Sequence, residues 1–559
     1  MDSSVDHVID ASGERLSRWS HGHRRDIITF TAYVVLTLLL TWPQVADLQS
    51  VPRHQDPLFS IWRLGWIGRA LSTAPDQLFN GNNYYPARGT LLFSDATLVQ
   101  GLLAWPFVRL GVPLPSVYNV LVLASFVASA WAMWLLAFEL TGSRRGAFVA
   151  GLIFAFAPFR FDHYIHLELL WGFWTPLTLW ALHRALDTGK FRYGALAGAF
   201  AVLQLTSCIY YGVFLSTALV IVTAGLLFRS RYRQPRCWIA LVPGAIIAAA
   251  GGALYAQPYV DMARVLGDRG LRQVQGYSPE FHSYLAAPAN NWLYGWTASY
   301  WGGNERHLFV GLVAMVLVTV AIVRYRRTWV PVYTALLGVA VLICVGVNGP
   351  LYHLLYEWWP GYDGLRVPSR AGLIVVMAVA LLAAGGLTVV MGWCRSDRMR
   401  TGAFALTVGL VLMEYYNPLS ELTHLEHRTP YVYSWLAAQD DAVVLDLPVP
   451  RANELPGNEP TYQWLSTFHW RPLVNGYSGH YPKPYIRLLH TLRTFPDRRS
   501  IEALRAISVK FVIVHERAFS SRKFLALRMA MESTAELRPV ARFQGVDGEG
   551  LYVAEIVDR

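Results

Sequence analysis

The sequence predicts a polytopic all-α membrane protein with about eleven transmembrane helices and a small α/β domain at its C-terminal end. Three observations predict this. Of the 559 residues, 54% are hydrophobic and only 15% are charged, and the mean hydropathy is +0.31. Soluble domains carry about 25% charge, so a soluble enzyme and a disordered chain are both disfavoured. The apolar residues gather into runs near the ~20 residues that cross a bilayer. From about residue 418 the composition turns polar, with 17 Lys plus Arg against 16 Asp plus Glu. That near-neutral tail is no nucleic-acid module, and the net charge of +11 belongs to basic loops instead.

The expected spans are 27–43, 117–140, 146–160, 167–183, 192–208, 211–228, 238–259, 307–323, 329–347, 371–392 and 401–416. A further apolar run, 98–112, is short and contains Pro106. Positive charge decides its role. With 98–112 lying in the outer interface and the N-terminus inside, the basic clusters share one side. They are Arg15 to Arg25, Arg144 with Arg145, Arg184 to Arg192, Arg229 to Arg236, Arg324 to Arg327 and Arg395 to Arg400. Counting 98–112 as a span puts the first cluster opposite the rest. The expected organisation is a cytoplasmic segment 1–26, a transmembrane domain 27–417 and an extracytoplasmic domain 418–559. A long first external loop, 44–116, contains the interfacial helices. Trp42-Pro43-Gln44 is not a small-residue cleavage site, so the first span reads as an anchor.

In the tail, 442–447, 509–515 and 550–556 read as strands, and 430–439, 498–507 and 520–533 as helices. Cys208, Cys237, Cys344 and Cys394 lie in or beside apolar runs with no CxxC spacing, so neither a disulfide framework nor a thiolate zinc site is expected.

Chemistry-bearing residues concentrate in the predicted external loops. His54-Gln55-Asp56-Pro57 follows the first span, and Pro57 is expected to hold Asp56 extended. The second loop runs from Arg160 through Asp162, His163 and His166 to Glu168. If helical, Asp162 and His166 share a face. These residues are either a metal-competent cluster or a polar collar with Arg160 paired to Asp162. Histidine with carboxylate suits zinc or manganese, and carboxylates alone suit magnesium or manganese. Arg366 and Arg370 enter a span from outside, against the positive-inside trend, and their forked guanidinium suits phosphate. The third loop carries Tyr277, His282, Trp292, Trp296 and Tyr300, which fit an interfacial belt or a sugar-stacking surface. GxGxxG, P-loop, HExxH and GxSxG motifs are absent from the sequence.

This arrangement resembles the GT-C class of integral membrane glycosyltransferases, above all uncharacterised bacterial family-39-like members akin to protein O-mannosyltransferases and aminoarabinose transferases. The likeness rests on Asp56-Pro57-Leu58, Tyr84-Tyr85-Pro86, the run from Gly151 through Pro158 to His163, Leu365-Arg366-Val367-Pro368-Ser369-Arg370, and Asn475-Gly476-Tyr477. It implies a multi-pass protein of the bacterial plasma membrane with its C-terminal domain outside. The implied donor is a sugar on polyprenyl phosphate, and the acceptor an extracytoplasmic glycan, lipid or protein. By resemblance, Asp56 is the catalytic base, and Asp162, His166 or Glu168 matches the second-loop acidic position, with Asp162 the catalytic candidate. Arg366, Arg370 and Arg160 hold the donor phosphate, while His163, His166 and Glu168 are metal candidates for magnesium, manganese or zinc. His54, Tyr277 and His282 are candidates for sugar contact. One departure is His54, where many members place a second acid two residues before the catalytic one, and this leaves metal dependence open. The alternatives from other classes are a transporter or flippase and a non-catalytic envelope-assembly protein. A transporter is expected to show inverted repeats and broken mid-membrane helices, and neither is legible here.

Overall fold

The computed structural model describes residues 24–229, 232–267, 270–419, 421–425 and 428–557. Arg15, Arg18, Arg231 and most of the expected cytoplasmic segment 1–26 lie outside the described residues. Every predicted span interval contains helix, starting with one over 24–40. Among the described residues, four helices are long and apolar enough to cross a membrane. They are Leu114–Thr141, Ile209–Leu227, Pro235–Leu266 and Pro368–Trp393. The other intervals hold shorter or less apolar helices, including Arg144–Phe156, Phe191–Ser207, Leu312–Arg324 and Val330–Cys344. The 167–183 interval is broken, with a turn of helix at Leu167–Leu170 and a second helix at Trp174–Thr188. The chain is a multi-pass membrane protein.

Gly372–Trp393 forms the centre of the bundle and is buried along most of its length. It packs against Leu312–Arg324, Val330–Cys344 and Arg144–Phe156. A Cβ on Gly386 would lie 1.9 Å from the Leu317 carbonyl oxygen, so only glycine lets these two backbones meet. Lipid cannot drive helices together by hydrophobicity, and such close approach supplies the packing instead. Pro235–Leu266 is the opposite case. It leaves Trp238, Ile239, Val242, Ile246 and Leu254 exposed, an apolar surface suited to hydrocarbon.

The first loop opens with strand β1 (Ser50–Pro52), then helix Gln55–Thr73 and, further on, helix Leu98–Arg109. The last of these has twelve residues, too short to span, and exposes Leu102, Leu103 and Phe107. Strand β2 (Leu422–His424) pairs antiparallel with β1, joining the first loop to the beginning of the tail. The tail sheet comprises β3 (Val443–Leu447), β4 (Val509–His515), β5 (Leu537–Gln544) and β6 (Gly550–Ile556) in the order β3-β4-β6-β5. The β3–β4 pair is parallel and the other two pairs are antiparallel. The three predicted strands and the helices Tyr431–Ala437, Arg498–Ala506 and Ser521–Glu532 fall where expected. Strand β5 escaped the sequence because it carries Pro539 and is mostly exposed. It is an edge strand with a register shift beside that proline, the position sheets allow to proline.

Backbone hydrogen bonds also join loop and tail. Tyr84 N donates to Asn475 O (3.1 Å), Tyr85 N to Leu473 O (2.9 Å) and Leu473 N to Asn82 O (2.7 Å). The tail is therefore laced onto the first loop by main chain as well as by packing.

Candidate active site

Asp56 sits in the first turn of helix Gln55–Thr73, with His54 as N-cap. The expectation that Pro57 holds Asp56 extended is corrected. Proline is accepted in the first helical turn, where its missing N–H has no partner to lose. Asp56 thereby places a carboxylate at the positive end of a helix. Its Oδ1 accepts a hydrogen bond from Tyr477 Oη at 2.8 Å. Its Oδ2 lies 3.1 Å from His54 Nδ1 and 3.7 Å from His166 Nδ1. Burial pushes this carboxyl up, but His166, His54 and Tyr477 together outweigh burial and hold it well below the usual carboxylate range.

The second loop does not continue as one helix. Pro158–Asp162 is a single turn, and the chain reverses through His163 to His166 before Leu167–Leu170. Asp162 and His166 therefore do not share a helical face. Arg160 is fully buried and donates to Leu169 O (3.0 Å), Leu170 O (2.6 Å) and Ser129 Oγ (3.1 Å). Its guanidinium closes the reversal by satisfying carbonyls that the broken helix leaves unpaired. This corrects its assignment to donor phosphate. Asp162 is paired with His307 Nδ1 at 2.9 Å and not with Arg160.

Glu168 is also corrected as a metal candidate. It is buried and ion-paired with Arg63 at 2.7 Å. Arg63 also donates to Asp95 O and Ser60 Oγ, and its guanidinium stacks over Phe59 at 4.4 Å. Glu305, from the loop between Pro235–Leu266 and Leu312–Arg324, takes the place expected of Glu168. Its Oε2 is 3.8 Å from His163 Nδ1 and its Oε1 is 4.0 Å from His166 Nε2. Ligand atoms of His163, His166 and Glu305 all lie within 4.8 Å of one another. These gaps exceed hydrogen-bond length and are of the order expected for two atoms binding one ion at about 2.1 Å each. Two imidazoles and a carboxylate fit zinc or manganese by softness. Burial lowers the His163 imidazole to about 4, which favours the neutral form a metal requires.

Glu305 is held by both sides of its oxygen fork. Arg370 donates Nε to Oε2 at 3.0 Å and Nη2 to Oε1. Burial raises the Glu305 carboxyl, but Arg370 and the two histidines overcome it and bring it to about 2. Glu305 takes φ +58°, the left-handed region that side chains avoid, so the loop stores strain to present it. Arg370 also stacks on Tyr210 at 4.7 Å. Arg366 differs. It is half-buried, lies over the Tyr277 ring at 5.2 Å, and has no carboxylate within ion-pair distance among the described residues. His282 is exposed and pairs with Glu280 at 3.3 Å.

Four loop segments and the tail thus meet at one place. Asp56, His54, His163, His166, Glu305 and Arg370 form a connected cluster, and Tyr477 closes it from the tail. The sequence reading missed Glu305, His307, Arg63 and the role of Tyr477. The sequence signal for Glu305 is an acid two residues after Gly302-Gly303 in an otherwise aromatic-rich loop.

No protein-family model and no curated protein matches this chain. Among solved structures it is similar to the arabinofuranosyltransferase AftD from mycobacteria, with 15% identity and a TM-score of 0.61. The similarity covers 95% of this chain and 40% of AftD, so the chain spans less than half of that protein's length. At this identity the likeness shows the fold alone.

Proposed function

We propose that the chain is a membrane glycosyltransferase that moves a sugar from a polyprenyl-phosphate donor to an extracytoplasmic glycan, lipid or protein acceptor, with inversion. The observation that carries the reading is one connected cluster of Asp56, His54, His163, His166, Glu305 and Arg370, drawn from loops far apart in sequence. Such a cluster of paired charges at one end of a helical bundle is what displacement at a phosphate-linked anomeric carbon requires. The GT-C-like fold and the neighbour's printed activity support the same reading.

In this account Asp56 accepts the acceptor hydroxyl's proton as the new glycosidic bond forms, a contribution of ~10²–10⁴-fold. Its depressed titration keeps it ionised at neutral pH. The anomeric C–O bond to phosphate breaks on the opposite face. Arg366 meets the departing phosphate, because no carboxylate among the described residues lies within ion-pair distance of its fork. Arg370 contributes through Glu305 and changes partner only if phosphate displaces that carboxylate. His163, His166 and Glu305 would hold a divalent ion, and such an ion would supply Lewis-acid stabilisation of the phosphate oxygens. Asp162 orients His307 and so borders the site. Tyr277, under Arg366, and His54, beside Asp56, line it for sugar contact, whereas His282 pairs away with Glu280. The site is read as facing outside, where lipid-linked donors are available and nucleotide sugars are not.

The test is reconstitution in nanodiscs with a panel of radiolabelled polyprenyl-phosphate sugars, following release of label from lipid. Release from at least one donor supports the reading. Tight binding of all donors without release from any would favour a flippase.

A further inference from the structure

The C-terminal domain reaches the centre of the site through Tyr477. Tyr477 and Asp56 are 421 residues apart, yet the phenol and the carboxylate are 2.8 Å apart. An ionised carboxylate only accepts, so Tyr477 is the donor. Its ring is fixed by an edge-on contact with Phe59 at 5.4 Å.

The segment carrying Tyr477 is held by buried polar groups of the tail. Tyr477 N donates to Gln463 Oε1 (2.6 Å) and Gly476 N to Glu459 Oε2 (2.8 Å). Asn475 Nδ2 donates to Glu459 Oε1 (3.1 Å) and to Asp446 O (3.0 Å), and its Oδ1 accepts from Asp446 N (2.7 Å). Glu459, Gln463 and Asn475 are completely buried. A Cβ on Gly476 would lie 2.7 Å from the Tyr84 ring, so the first loop and the tail segment fit only with glycine there. A loop that merely capped the bundle would not need an ionisable group and two amides buried beneath it, since each costs free energy unless its hydrogen bonds are made.

We infer that Tyr477 is a positioning residue for Asp56 and that the C-terminal domain is a working part of the site. The phenol occupies Oδ1 and fixes the carboxylate's rotation. That leaves Oδ2, on the side of His54 and His166, as the oxygen that takes the acceptor's proton. This rests on the reading of Asp56 as the base.

The experiment is a double-mutant cycle on the full chain in nanodiscs, using the donor that the panel identifies. Tyr477→Phe keeps the ring and its contact with Phe59 and removes only the hydroxyl. It should lower kcat about tenfold or more, the worth of one hydrogen bond to an ionised group. KM for the donor and the melting temperature should hold. Asp56→Asn with Tyr477→Phe should be no slower than Asp56→Asn alone, because Tyr477 acts through Asp56. An unchanged kcat in Tyr477→Phe, or losses that multiply in the double variant, overturns the inference. Should the wild type transfer no sugar from any donor, the proposed function fails, and the contact is still read without turnover. A thiol-to-thiol cross-linker applied to Asp56→Cys with Tyr477→Cys should then join the two positions, and failure to join them overturns the contact itself.

Discussion

Replacing Arg63 by methionine removes the cation that holds Glu168. The pair is 2.7 Å long, with side chains 1% and 9% exposed, so water cannot take over when the guanidinium leaves. Breaking a buried ion pair from one side costs about 3–5 kcal/mol, because the remaining charge is left unpaired in a poorly polarisable setting. Arg63 also donates to Asp95 O and Ser60 Oγ, and losing those bonds pushes the cost toward the upper end. Replacing both partners, Arg63→Met with Glu168→Leu, leaves no orphan charge and should recover much of the loss. The assay is thermal unfolding of both variants in nanodiscs, together with zinc or manganese binding. The single variant should unfold well below the wild type and the double variant between them. Metal affinity in the double variant should stay near that of the wild type, since Glu168 is bound to Arg63 and outside the His163–His166–Glu305 set. A single variant as stable as the wild type, or a double variant that loses metal, would refute the assignment of Glu168 to structure and Glu305 to the site.

Three further outcomes are expected. Arg366→Ala should weaken binding of a polyprenyl-phosphate lipid by roughly ten- to 150-fold, while Arg160→Met should lower the melting temperature and leave that affinity alone; isothermal titration separates them. In the tail, burial raises the Glu459 carboxyl to about 8, and His515 is raised to about 9 because Asp446 and Glu549 outweigh burial. Both groups then favour their protonated folded forms. Glu459's contribution is present below its ordinary value and lost as pH rises through about 8, and that of His515 is lost through about 9. Hydrogen exchange in β3 and β4 should be faster at pH 9 than at pH 6 after correction for intrinsic rates, and Glu459→Gln should flatten the change. Lys483→Cys, at an exposed position in the tail, should react with a membrane-impermeant thiol reagent on intact cells. Reaction only after permeabilisation would place the tail and the site on the cytoplasmic side.

Much of the fold was legible because apolar runs and charge breaks are local signals. Helices lie in each predicted interval, and the short run at 98–112 ends as a twelve-residue helix with Pro106 inside it. Failures came where a local rule had two outcomes. Pro57 reads equally as an extended dipeptide or as a first helical turn, and the N-cap at His54 decided it. Pro539 hid strand β5. Asp56 was legible as a first-loop acid and the second-loop histidines as candidate metal ligands, because both are local clusters of chemistry-bearing residues beside apolar runs, but the contact of His166 with Asp56 was not. The partner of Glu168 was not legible, since Arg63 is 105 residues away and nothing in the sequence ties them. Glu305 and the role of Tyr477 were missed for the same reason. Their place depends on a left-handed loop residue and on the docking of the whole tail, and neither leaves a pattern in composition or periodicity.

The most direct test of the central claim compares wild type and Asp56→Asn in nanodiscs with one polyprenyl-phosphate sugar donor that the wild type uses. Both proteins should bind the donor with similar affinity, since Asp56 does not hold the phosphate. Turnover in the variant should fall by about 10²-fold or more, because the isosteric amide cannot accept the proton. Full activity in Asp56→Asn would contradict the account of this chain as a glycosyltransferase with a first-loop base.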